Sequence, residues 1–111
     1  MTVKKSRHDP YWEVVQEQYD NILFLYQKFA KNRPVMLFDI QEQRVYAHPY
    51  RDFAADLSEK SQSSLARQYR AARTDGNMVV FVRDNVEEKL VSYSVPARRN
   101  RTRHAKPRTE N

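Results

Sequence analysis

Six basic residues crowd the end of this chain: Arg98, Arg99, Arg101, Arg103, Lys106 and Arg108. Across residues 97–111 they face one acid, Glu110, which gives this segment a net charge of +5. Arginine suits phosphate because its planar guanidinium donates two parallel hydrogen bonds to it. Lys4, Lys5 and Arg7 add three charges within residues 1–7. Residues 8–96 hold 11 basic and 13 acidic side chains, so the middle of the chain is close to neutral. Two basic arms on a near-neutral body are expected to seek polyanions, nucleic acid first and an acidic protein or anionic lipid second. No aromatic residue follows Tyr93, so contact through the tail is expected to be electrostatic and blind to base sequence. With six phosphates engaged on duplex DNA, log K is expected to fall against log salt with a slope near −5, at about 0.9 per phosphate. A solubilising tail without a partner is the plain alternative.

A second basic stripe comprises Arg67, Arg70 and Arg73. Steps of three set them slantwise along a helix. They could face phosphate, but they also follow Asp52, Asp56 and Glu59, an acid-to-base order that suits the helix dipole. The dipole is the favoured reading.

His48, Tyr50 and Arg51 stand together at a strand-to-helix junction around Pro49. They could act as base, proton donor and phosphate clamp in a small metal-free ribonuclease. The plain alternative is a turn set by proline with His48 and Tyr50 packed beneath it. No nucleophile–base pair can be placed from spacing, so the expectation is a non-catalytic protein. Histidine and carboxylate spacings suggest no metal site, cysteine is absent, and the single glycine leaves no glycine-rich phosphate loop. No cofactor and no small-molecule substrate are expected.

Elements to carry these residues are legible in the pattern. Asp9-Pro10 is a helix start, with a capping carboxylate and a proline at the first helical position. Trp12, Val15, Tyr19, Ile22, Tyr26 and Phe29 then recur at steps of three and four, which predicts one helix ending before Pro34. Residues 35–40 and 44–47 read as a strand pair. A second helical region is expected over 50–74, with Ser58 able to cap a fresh start and Asp75-Gly76 to stop it. Residues 78–83 and 89–95 make a second strand pair. The expected fold class is α+β in the order helix, hairpin, helix, hairpin (αββαββ). Its four-stranded sheet is expected to be mainly antiparallel, with helices packed on it. One domain over residues 8–96 lies between the N-terminal arm, 1–7, and a C-terminal tail, 97–111, expected to be disordered when free.

Strands 35–40 and 78–83 are apolar on both sides, so both sheet faces are expected to be covered. Two arrangements fit. One places a helix on each face. The other places both helices on one face and a second copy of the chain on the other. In the second case Val35, Leu37, Val79 and Phe81 would belong to a dimer interface, as would Phe24 and Leu25 on the first helix. Phe24 falls on the charged side of its helix, where an aromatic anchor could mark a subunit contact. A protein-interaction module is therefore the rival to a nucleic-acid-binding protein. No apolar run approaches the length of a membrane span, and residues 1–30 show no secretory leader, so a cytoplasmic protein is expected.

Overall fold

The computed structural model describes residues 9–98. The residues proposed as the N-terminal arm (Lys4, Lys5, Arg7) and most of those in the tail (Arg99, Arg101, Arg103, Lys106, Arg108) lie outside them. Within the tail, Arg98 is described and is exposed.

The chain begins with α1 (Pro10–Glu17) and α2 (Tyr19–Lys28), followed by a short 3-10 turn at Ala30–Asn32. The hairpin β1 (Pro34–Asp39) and β2 (Arg44–Pro49) comes next. Helices α3 (Tyr50–Ala55) and α4 (Glu59–Thr74) lead to a second hairpin, β3 (Asn77–Asp84) and β4 (Lys89–Pro96). Each helical region is thus two helices, where the sequence pattern suggested an αββαββ order.

Local chemistry sets most boundaries. The Asp9 carboxylate accepts from the backbone N–H of Tyr11 at 3.0 Å and of Trp12 at 3.3 Å, and so caps α1. Ser58, with extended angles, accepts from Ser61 N–H at 3.2 Å and starts α4 afresh. Gly76, at φ 75, ends the second helical region, where any side chain would be strained.

The sheet has the order β2-β1-β3-β4. Both hairpins are antiparallel, but the central pair, β1 and β3, is parallel, so the sheet is mixed rather than mainly antiparallel. The cause is where the crossover returns the chain. Pro49, at the end of β2, lies opposite Pro34, at the start of β1. Helix α4 then comes back to this same end of the sheet, since the Tyr69 hydroxyl donates to the Arg33 carbonyl at 3.0 Å. Strand β3 therefore starts beside the start of β1 and runs with it.

Each face of the sheet is covered by the chain's own helices. Val15, Ile22 and Leu23 of α1 and α2 pack with Met36, Met78, Val80, Val82 and Val95. Leu65 and Ala72 of α4 pack with Val35 and Val79 on the opposite face, flanked by Phe53, Leu57 and Tyr69. Burying each large aliphatic side chain contributes about 1.5–3 kcal/mol. This corrects the sheet-face interface. Val35, Leu37 and Val79 are core side chains, 0%, 3% and 0% exposed within one chain, because α3 and α4 occupy the face reserved for a second copy. Phe81 is half-buried, with its ring 5.1 Å from that of Phe53. On α2, Leu25 packs against the first core cluster, whereas Phe24 is 65% exposed.

The opposite end of the sheet is tied by carboxylates. Asp39 is fully buried and accepts from Arg83 Nε at 2.7 Å and from Glu42 N–H at 2.9 Å. The Glu42 amide and the Arg83 guanidinium hold its carboxyl below the usual range, against burial. Asp84 accepts from the Tyr11 hydroxyl at 2.8 Å and from Gln41 Nε2 at 3.1 Å, and these lower its pKa as well. The same bond to Asp84 pushes the Tyr11 phenol up to about 12. The Tyr93 hydroxyl donates to Asp9 at 2.7 Å and locks the start of α1 onto β4. Ala97 continues the body past Pro96, donating its N–H to the Gly76 carbonyl at 3.1 Å.

Candidate nucleic-acid interface

At the end of the sheet where β1 begins, two depressions of about 550 and 500 Å³ meet. Both are lined by Arg33 and Tyr50. The first is completed by Ala66, Tyr69, Arg70, Arg73 and Thr74 of α4. These residues sit at steps of three, four, seven and eight from Ala66, which is one helical stripe. The second is completed by Lys31, Asn32, Pro49, Arg51 and Asp52. Together the two form a groove with five cationic side chains and one carboxylate.

Arg33 is fixed by its neighbours. Pro34 disfavours right-handed helical angles at the residue before it, and Arg33 turns through the left-handed region at φ 48, ψ 61. Its N–H donates to the Ala30 carbonyl at 2.9 Å. Its own carbonyl accepts from Tyr50 N–H at 3.2 Å and from the Tyr69 hydroxyl at 3.0 Å. The 3-10 turn, α3 and α4 therefore all anchor one backbone unit. Burial pushes the Tyr69 phenol up, opposed by the Arg73 guanidinium, so the phenol stays a donor. The Tyr50 and Tyr69 rings lie 4.5 Å apart at 43°, and the Arg73 guanidinium sits 6.0 Å from the Tyr69 centroid.

Among the described residues none of the groove cations is held in an ion pair, although Asp52 shares the lining. Among the described residues the one ion pair joins Arg83 to Asp39, at the far end of the sheet. Lys31, Arg33, Arg51, Arg70 and Arg73 are all exposed. Exposed cations that outnumber the carboxylates in a groove create a positive potential that a phosphate chain can neutralise.

The structure sorts the sequence candidates. Arg70 and Arg73 line the groove, whereas Arg67 of the same stripe does not. Arg73 lies in the last turn of α4, where it also complements the dipole, an effect confined to that turn. Tyr50 and Arg51 share the second depression. His48 stands apart from it, its ring 6.0 Å from Tyr46 and 5.8 Å from Phe53. Arg33 and Lys31 were not singled out by spacing. The signal available was a cation directly before Pro34 at the end of a helical run. Among the described residues no three His, Asp or Glu side chains gather as a metal-ligand set, and no helix is long and apolar enough to cross a membrane.

Comparison with protein-family models, curated proteins and solved structures finds no match for this chain.

Proposed function

We propose that this chain is a small non-catalytic nucleic-acid-associated protein that grips the phosphate backbone. The groove is its contact on the folded body, and the basic arms extend that contact. The observation that carries this reading is the convergence of Lys31, Arg33, Arg51, Arg70 and Arg73 around Tyr50, with Asp52 as the one acid among the described lining residues. Their driving force is release of cations condensed on the nucleic acid, so binding weakens steeply with salt. Guanidinium groups at this density add bidentate hydrogen bonds to phosphate oxygens.

The test is a titration of labelled DNA or RNA with the full chain, with a version ending at Ala97, and with the double variant Arg70→Glu/Arg73→Glu. Both changes are expected to weaken binding and flatten its salt dependence, the first reporting the tail and the second the groove. Unchanged affinity in the double variant overturns the groove as the contact. Unchanged affinity in the shortened chain removes the tail. Absence of binding by the full chain overturns the whole reading.

A further inference from the structure

One face of β2 carries Arg44, Tyr46 and His48 at alternate positions. The other face is occupied, since Val45 and Ala47 pack toward the α1–α2 core. Among the described residues, the helix set against the Arg44–Tyr46–His48 face is α3, of six residues and therefore about 9 Å long. It starts at Tyr50, directly after β2, and sets Phe53 against His48 with ring centroids 5.8 Å apart. Arg44 is exposed and Tyr46 partly so. The Tyr46 and His48 rings are nearly parallel, at 21° and 6.0 Å, and the Arg44 guanidinium lies 5.5 Å from the Tyr46 centroid. The Tyr46 hydroxyl is bonded to Glu42, which fixes the outer end of the ring. Strand β2 is also an edge of the sheet, so no strand pairs with its outer side among the described residues.

The row runs straight into the phosphate-facing groove, because Pro49, Tyr50 and Arg51 follow His48 and line the second depression. Tyr50 lines both depressions and so stands between Lys31 and Arg51 on one side and Arg70 and Arg73 on the other. Rings interleaved with cations recognise a polyanion whose monomers each carry a π-face. Positions two apart on a strand are about 6.7 Å apart. That is about twice the 3.4 Å step between nucleotides along a duplex strand, so successive bases reach such rings only from a stretched, unpaired strand. A duplex hides its base faces, so it could use the cations alone.

We propose that the preferred partner is single-stranded nucleic acid, with bases laid along the Arg44–Tyr46–His48 row and phosphates held by the groove cations. This rests on the phosphate-binding reading and adds the strandedness of the ligand. The test compares a short labelled oligothymidine with a duplex of equal length, using the full chain and the variants Tyr46→Ser and Tyr46→Phe. The full chain is expected to bind the single strand more tightly. Tyr46→Ser is expected to weaken single-strand binding roughly tenfold and leave duplex binding within a factor of two, while Tyr46→Phe keeps the parent affinity. Because Tyr46 is anchored to the hairpin turn, folding of each variant is checked by circular dichroism, and Tyr46→Phe separates loss of the ring from loss of that anchor. Equal affinity for the two probes overturns the preference while leaving phosphate binding intact. A Tyr46→Ser loss equal on both probes, or absent on both, overturns the stacking role. No binding to either probe overturns the phosphate reading beneath it.

Discussion

Replacing Arg33 by glycine separates the groove's binding role from its structural one. Arg33 sits at φ 48, and a left-handed residue with a Cβ costs about 1–2 kcal/mol that glycine avoids. Glycine gives back about 0.5–1 kcal/mol through the greater freedom of the unfolded chain. The backbone bonds to Ala30, Tyr50 and Tyr69 use only the main chain of Arg33 and survive the change. Arg33→Gly should therefore leave stability unchanged or raise it by up to about 1.5 kcal/mol, a Tm shift of no more than about 12 °C for a domain this size. Binding should behave in the opposite way. A hydrogen bond to a charged group contributes about 1.5–3 kcal/mol, so affinity for a labelled single strand should fall about tenfold or more at low salt. The slope of log K against log salt should flatten by about 0.7. Thermal melts and anisotropy titrations on the same preparations supply both numbers. A variant that melts like the parent and binds with the parent's affinity and slope would refute the assignment of Arg33 to a phosphate.

Other expectations concern the groove, the sheet end and the first helix. Arg73→Gln should weaken binding and cost little stability, at most about 1 kcal/mol from lost dipole complementation, measured by titration and chemical denaturation. Asp39→Ala should destabilise the fold by about 1.5–3 kcal/mol, because Arg83 and the Glu42 amide lose their partner, while affinity per folded molecule stays unchanged. The lowered pKa values of Asp39 and Asp84 contribute stability above the ordinary carboxylate range, and this is lost as pH falls through it. At the alkaline end, the raised pKa of Tyr11 contributes stability below its ordinary value of 10.0, lost as pH climbs toward about 12, so a pH series of melts should decline at both extremes. Phe24→Ser, at a 65% exposed site, should change stability by no more than about 0.5 kcal/mol, and sedimentation of both forms shows whether that ring joins copies of the chain.

Short-range chemistry made most elements legible. Asp9-Pro10, Ser58 and Asp75-Gly76 mark helix boundaries because capping and left-handed turns are decided within a few residues. The parallel pairing of β1 with β3 could not be read, since it depends on which end of the sheet α4 returns to. Two-sided apolar strands showed that both faces are covered, but not by what, because a helix of the same chain and a second copy offer similar apolar surface. The site was legible in fragments. Tyr50 and Arg51 stood out with His48 as a junction cluster, and Arg70 and Arg73 as part of a stripe for which the helix dipole was the favoured reading. Arg33 carried no local pattern of its own. It is 37 residues before Arg70, and only the crossover brings the two to one groove.

The central claim is that the groove cations replace counterions on a phosphate chain, and salt dependence measures this most directly. Titrations of a labelled single strand over a range of salt should be run with the full chain and with Arg33, Arg51, Arg70 and Arg73 all changed to glutamine. At about 0.7 per phosphate the slope should flatten by about 3 in the variant. The same slope in both proteins, with both folded, would contradict the account.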